Sequence, residues 1–95
     1  MEIRKEVMEF ALAMEMALQE HDKDRGDSWK DMNMNDLLSR KELEDRELSN
    51  ALIRISVPLH QSPPTTRAER IQNAQKETVD VANFAMFIFH NLNRS

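Results

Sequence analysis

The chain contains no cysteine, so a disulfide framework and a thiolate zinc site are both excluded. It has one glycine and three prolines in 95 residues, which leaves few places to break a regular element. Tyrosine is absent, valine and isoleucine are sparse, and no segment alternates apolar and polar residues at period two. A sheet is therefore not expected. No apolar run is long enough to span a bilayer, and the amino-terminal Met1-Glu2-Ile3-Arg4-Lys5-Glu6 has no apolar core of a secretory signal. These features point to a cytoplasmic protein with no membrane partner. A basic excess is missing too: the formal net charge is -4, with both signs interspersed. A nucleic-acid polymer is thus not the expected partner.

What remains is rich in Glu, Leu, Ala, Lys and Met, a helical composition of a length that allows one domain, residues 1–95. A first helix is expected from about Glu2 to Glu20, with Ile3, Val7, Phe10, Ala11, Met14, Ala17 and Leu18 recurring at helical spacing as its apolar stripe. Gly26 suits the positive-φ position of a stop or tight turn. A polar connection follows, and Asn33 or Asn35 is fit to cap a second helix, with Asp36 in its first turn. That helix is expected to run from about Asn35 to Ser56. Its inward stripe reads Leu37, Lys41, Glu44, Leu48, Ala51/Leu52, Ile55, so a carboxylate stands at Glu44 where a core residue belongs.

Pro58, Pro63 and Pro64 make Val57–Thr65 a connection. Thr66-Arg67-Ala68-Glu69 has the form of a capping box and starts a third helix reaching about Leu92. Its second half, Val81 to Phe89, is apolar on nearly every side, as in helices buried all round. Three helices of one chain cannot bury it, since so short a chain hides only a modest share of its surface. The expected fold is therefore all-α, a three-helix bundle completed by oligomerisation.

Glu44 and Glu47 stand at i, i+3 on the second helix, and Glu77 and Asp80 do so on the third. Each spacing puts two carboxylates on one helical face. Such pairs are commonly just solvated face residues. Here Glu44 lies in the apolar stripe, and Glu77 and Asp80 are interleaved with Val79, Val81 and Ala82. The polar row Asn73, Glu77, Asp80, Asn83 forms a wet seam in a dry helix. Four carboxylates on packed neighbouring helices repel unless a hard cation with oxygen ligands joins them. Mg²⁺ fits best, with Mn²⁺ an alternative, because it accepts few carboxylates and keeps waters.

Glu44-Asp45-Arg46-Glu47, followed about thirty residues later by Glu77-Thr78-Val79-Asp80-Val81-Ala82-Asn83-Phe84, resembles the E-x-x-E … E-x-x-D signature of the MazG-like nucleoside triphosphate pyrophosphohydrolases, an all-α group. Arg25-Gly26-Asp27-Ser28-Trp29-Lys30-Asp31-Met32, then Asp36-Leu37-Leu38, resembles the segment that precedes the first motif in phage and bacterial members. The similarity covers roughly Glu20 to Asn91. This chain departs from many members in having Leu43 before Glu44, and Ser49 and Asn50 after the first motif. The resemblance implies cleavage of a nucleoside triphosphate between its α and β phosphates, giving a monophosphate and pyrophosphate. It implies metal ligation by Glu44, Glu47, Glu77 and Asp80, with Glu44 or Glu47 taking the proton of the attacking water. It also favours a homodimer or homotetramer.

Asn83, Trp29, Lys30, Arg25 and Lys23 are the candidate substrate-binding residues. Trp29 is suited to anchor the connection on the core or to shape a base pocket. Arg54 lies two turns after Glu47, and Lys76 adjoins Glu77 but points elsewhere. His21-Asp22 lacks matching histidines for a metal phosphohydrolase of another helical class, and no Glu-x-x-His pair supports a di-iron site. The competing functions are a non-catalytic helical oligomerisation module and a degenerate family member that binds nucleotides without cleaving them.

Overall fold

The computed structural model describes residues 1–22, 26–56 and 65–93. Among these the chain is an all-α bundle with no strand. Helix α1 spans Lys5–Asp22, α2 spans Met34–Ser56 and α3 spans Arg67–Leu92, with a short 3₁₀ helix at Ser28–Asp31 between α1 and α2. Lys23, Arg25 and the connection with Pro58, Pro63 and Pro64 lie outside the described residues. No helix among the described residues is long and apolar enough to cross a membrane.

The helix ends follow from local chemistry. Gly26 takes φ 52° and donates its N–H to the Asp22 carbonyl at 3.2 Å, closing α1 in a conformation that a side chain resists. Asn33 caps α2: its Oδ1 accepts the Asp36 N–H at 2.9 Å, and its Nδ2 donates to the Asp36 carboxylate at 3.0 Å. Of the two expected caps, Asn33 serves, and α2 begins one residue earlier than the sequence predicts. Thr66 caps α3 by accepting the Glu69 N–H at 3.1 Å while its hydroxyl donates to the Glu69 carboxylate, as the capping-box pattern predicts.

Helix α3 is the hub. It packs along α2, crosses α1 and receives the 3₁₀ helix near its carboxyl end. Among the described residues, those buried are Leu37 and Ala51 from α2 and Arg70, Ala74, Asn83 and Phe87 from α3. Trp29 stacks on Phe87 with ring centroids 4.4 Å apart and meets the His90 ring edge-on. The Asn91 side chain donates to the Trp29 carbonyl. The tryptophan thus pins the connection onto the last turns of α3.

The first helix differs from expectation. It starts at Lys5, so Ile3 precedes it, and Val7 and Phe10 of its stripe are exposed at 54% and 40%. Only Met14, Ala17 and Leu18 of the stripe reach half-burial. The reason is geometric: Phe10 borders an open cavity with Gln75, Thr78 and Val79 of α3, so α3 approaches this part of the stripe without closing over it. The apolar end of α3 is likewise only partly covered, with Phe87 buried but Phe89 68% exposed.

Candidate metal centre

The α2–α3 seam can be followed residue by residue. Ala51 and Ala74 are both buried, and such small side chains let two helices approach closely. One turn before Ala51 on α2, and one turn after Ala74 on α3, the acidic residues begin. Glu44, Glu77 and Asp80 each bring a carboxylate oxygen to within 4.8 Å of the other two. The three are half-buried, whereas Glu47 is exposed at the edge of the same group. Both helices therefore contribute to one acidic focus, as the paired spacing predicts.

The electrostatics of the group are unfavourable as it stands. Burial raises the Glu44 pKa from 4.5 to about 7, helped by a hydrogen bond with Glu47 and by the charges of Glu47, Asp80 and Glu77. Glu77 is also raised, first by burial and then by the neighbouring Asp80 charge. Asp80 is raised by burial, with Lys76 and His21 opposing the shift. Lys76 is thus a neighbour of Asp80, four residues before it on one face, contrary to the reading that it points away from the acidic pair. Its charge eases the repulsion, yet no ion pair within 4 Å joins it to a carboxylate among the described residues.

Hydrogen bonding leaves the same residues incomplete. Glu44 Oε2 and Glu77 Oε2 are buried without a partner. Orphaned buried oxygens are costly, and three convergent carboxylates have the donor chemistry of a hard divalent cation. The residues present fit such an ion.

Two further polar groups border the focus. Asn83 is 5% exposed, and its Nδ2 donates to the Met14 carbonyl of α1 at 3.3 Å while its Oδ1 has no partner. It stands one turn after Asp80 and ties α1 to the site. Arg40 stands one turn before Glu44, its guanidinium over the Phe84 ring at 5.7 Å and its Nε buried without an acceptor. Arg40 belongs to no motif in the sequence, although its i-4 position relative to Glu44 puts it on the same face.

Trp29 and Lys30 are not gathered at the carboxylates. Trp29 packs on Phe87, two helical turns or about 10 Å along α3 from Asp80. Lys30 sits over the Trp29 ring at 5.5 Å, with its ammonium 3.3 Å from Asp27. Lys41, in the inward stripe, is half-buried and pairs with Asp45 at 2.8 Å, which compensates its charge at the flank of the seam. His21 is exposed at the end of α1 and shares with Asp80, Lys76 and Met16 a cavity of about 280 Å³ between α1 and α3.

Comparison with protein-family models, with curated proteins and with solved structures finds no match to this chain.

Proposed function

We propose that this protein is a Mg²⁺-dependent nucleoside triphosphate pyrophosphohydrolase of the MazG-like kind. The observation that carries the reading is the convergence of Glu44, Glu77 and Asp80 from two helices, with two buried carboxylate oxygens lacking any partner. Its ordered motifs are those that resemble the family, Glu44-x-x-Glu47 and Glu77-x-x-Asp80.

In this reading Glu44, Glu77 and Asp80 hold the cation, and Glu47 completes the set from the solvent edge. Mg²⁺ bound there supplies charge neutralisation for the phosphates and a water of lowered pKa. Glu44 and Glu47 stand one turn apart on the same face of α2, so either carboxylate is placed to take the proton of the attacking water. We assign its acceptance to Glu47, because exposure gives that carboxylate access to water while Glu44 is committed to the buried seam. Asn83 fixes the end of the polar row and presents an unpartnered carbonyl oxygen. Mn²⁺ is the expected substitute ion.

The apolar residues left open on α1 (Val7, Phe10, Met16) and on α3 (Phe89, Leu92) favour assembly of two or four copies. A purely non-catalytic module would use the same surface without needing the carboxylates.

The test is pyrophosphate release from a panel of ribo- and deoxyribonucleoside triphosphates with Mg²⁺, Mn²⁺ or EDTA. Metal-dependent release is expected for wild type and loss of it for Asp80→Asn, with helicity retained. Full turnover in EDTA, or in Asp80→Asn, would overturn the assignment. Binding without release would identify a degenerate member.

A further inference from the structure

Helix α1 carries more apolar surface than its contact with α3 uses. It packs on α3 through Met14, Ala17 and Leu18, which are half-buried. Met8, Leu12 and Met16 stand at i, i+4 and i+8, a separate row turned away from Met14 and Leu18. They are 55%, 62% and 60% exposed. A helix packed on one neighbour needs a single apolar stripe, and a second row calls for a second neighbour. Two of the three side chains are methionines, whose flexible thioethers adapt to varied partner surfaces.

Charge is gathered on the same helix. Helix α1 holds Glu6, Glu9, Glu15, Glu20 and Asp22 against Lys5, five acids to one lysine and a formal -4. The whole chain also carries -4, so the residues outside α1 balance. Glu9 and Glu20 edge the apolar row on one side, and Glu15 and Asp22 edge it on the other. All four are exposed. Lys5 meets Glu9 at 3.7 Å, and the Gln19 amide donates to Glu15 at 3.3 Å. Contacts so open to water neutralise little of the charge.

The charge decides what covers the row. Two copies joined through it would set these carboxylates against their own counterparts, and like charges across an interface are costly. No other long helix of the chain is net basic: α2 has five acids against four bases, and α3 has three against three. An anionic membrane surface is repelled for the same reason. A helix whose apolar stripe is bordered by lysine and arginine matches both the row and its rims. We propose that the outward face of α1 docks a basic amphipathic helix of another protein. Helix α1 has 18 residues, so it offers a track about 27 Å long, matched by about five turns of the partner. Assembly of copies then uses the Val7 and Phe10 side of α1 and the open end of α3, with Met16 at the border. The contact involves none of the carboxylates of the metal centre and does not depend on metal or nucleotide.

The experiment titrates the full chain, in EDTA, into labelled peptides as long as α1 and follows fluorescence anisotropy. The probe is a leucine–lysine peptide with leucine at helical spacing. One control has the same composition in an order that forms no apolar stripe, and another has glutamate in place of lysine. Only the amphipathic lysine peptide is expected to bind. Leu12→Gln is expected to raise its Kd about tenfold, the loss of one apolar contact. Glu9→Lys combined with Glu15→Lys is expected to do the same, with the largest difference at low salt. Val7→Gln, on the other side of the helix, is expected to bind as wild type does. These positions are exposed, so circular dichroism should show the helices intact in each variant. Sedimentation should give Leu12→Gln the same assembly state as wild type. Failure of the amphipathic peptide to bind, equal binding of the reordered one, or an unchanged Kd in Leu12→Gln would overturn the proposal. So would dissociation of the assembly by Leu12→Gln, which would give the face to a second copy.

Discussion

Replacing Glu44 with glutamine removes one charge from the α2–α3 seam and nearly preserves the side-chain shape. The carboxyl group has a pKa of about 7 in the fold against 4.5 for the ordinary group. The folded protein therefore holds this proton to higher pH than the unfolded chain does. The contribution to stability is complete below about pH 4.5 and is lost as the pH rises through about 7. Ionising the group within the fold costs about 3 kcal/mol at most. The seam stays partly open to water, which screens the charge and reduces the figure to about 1–2 kcal/mol. In metal-free solution at pH 8, Glu44→Gln avoids this cost, and its amide can still donate toward Glu47. The variant should melt about 5–15 °C above wild type at pH 8 and close to wild type at pH 5. Thermal unfolding by circular dichroism in EDTA measures both. Added Mg²⁺ should then raise wild type far more than the variant, because metal binding requires the ionised carboxylates. An equal difference between variant and wild type at pH 5 and pH 8 would refute the reasoning, and so would a variant that is less stable at pH 8. A site that destabilises its own empty form is a common cost of function.

Other outcomes follow from the same structure. Glu77→Gln should abolish Mn²⁺ binding in calorimetry while leaving the far-ultraviolet spectrum intact, because the lost oxygen is one of those without a protein partner. Asn83→Ala removes the bond to the Met14 carbonyl and should cost about 1–2 kcal/mol in chemical denaturation. Trp29→Ala empties the stack on Phe87 and should cost about 3 kcal/mol, with little change in Mn²⁺ affinity since the ring packs away from the carboxylates. Gly26→Ala should cost about 1 kcal/mol through its backbone conformation, as an added Cβ would only make ordinary contact with the Asp22 carbonyl oxygen at 3.8 Å.

The helices and their caps were legible because they depend on neighbours in sequence. The Thr66-x-x-Glu69 box, Gly26 after α1 and the acidic spacing on α2 and α3 each need only a few adjacent positions, and the structure has them as read. The meeting of Glu44 with Glu77 and Asp80 was legible as well, since two i, i+3 pairs on packed helices have few ways to avoid one another. What the pattern could not convey was coverage. Val7 and Phe10 have the periodicity of core residues, yet how closely α3 covers them depends on how the two helices approach each other. Arg40 and Arg70 were missed for a related reason. An arginine on a mixed face reads as solvated, and only the packing of the seam shows that its nitrogen is enclosed. Lys76 adjoins Glu77 in sequence, whereas the helix sets its charge beside Asp80 one turn on.

The position of α3 between the other two helices has a consequence for how the molecule opens. Helices α2 and α3 form the more extensive contact, while α1 adheres to α3 through a smaller area and the Asn83–Met14 bond. The bundle is thus two layers of unequal tenacity. Amide exchange should release α1 first, in an opening that leaves the α2–α3 hairpin closed. A cation bound at the acidic focus would tie α2 to α3 and meet α1 near its carboxyl-terminal end, where His21 faces Asp80 and Met14 holds Asn83, so its binding should slow exchange along the hairpin and leave the first half of α1 as quick as before. Helix α1, with Val7, Met8, Phe10, Leu12 and Met16 open to solvent, would then be the element least governed by the ligand, free to answer to a neighbouring molecule instead.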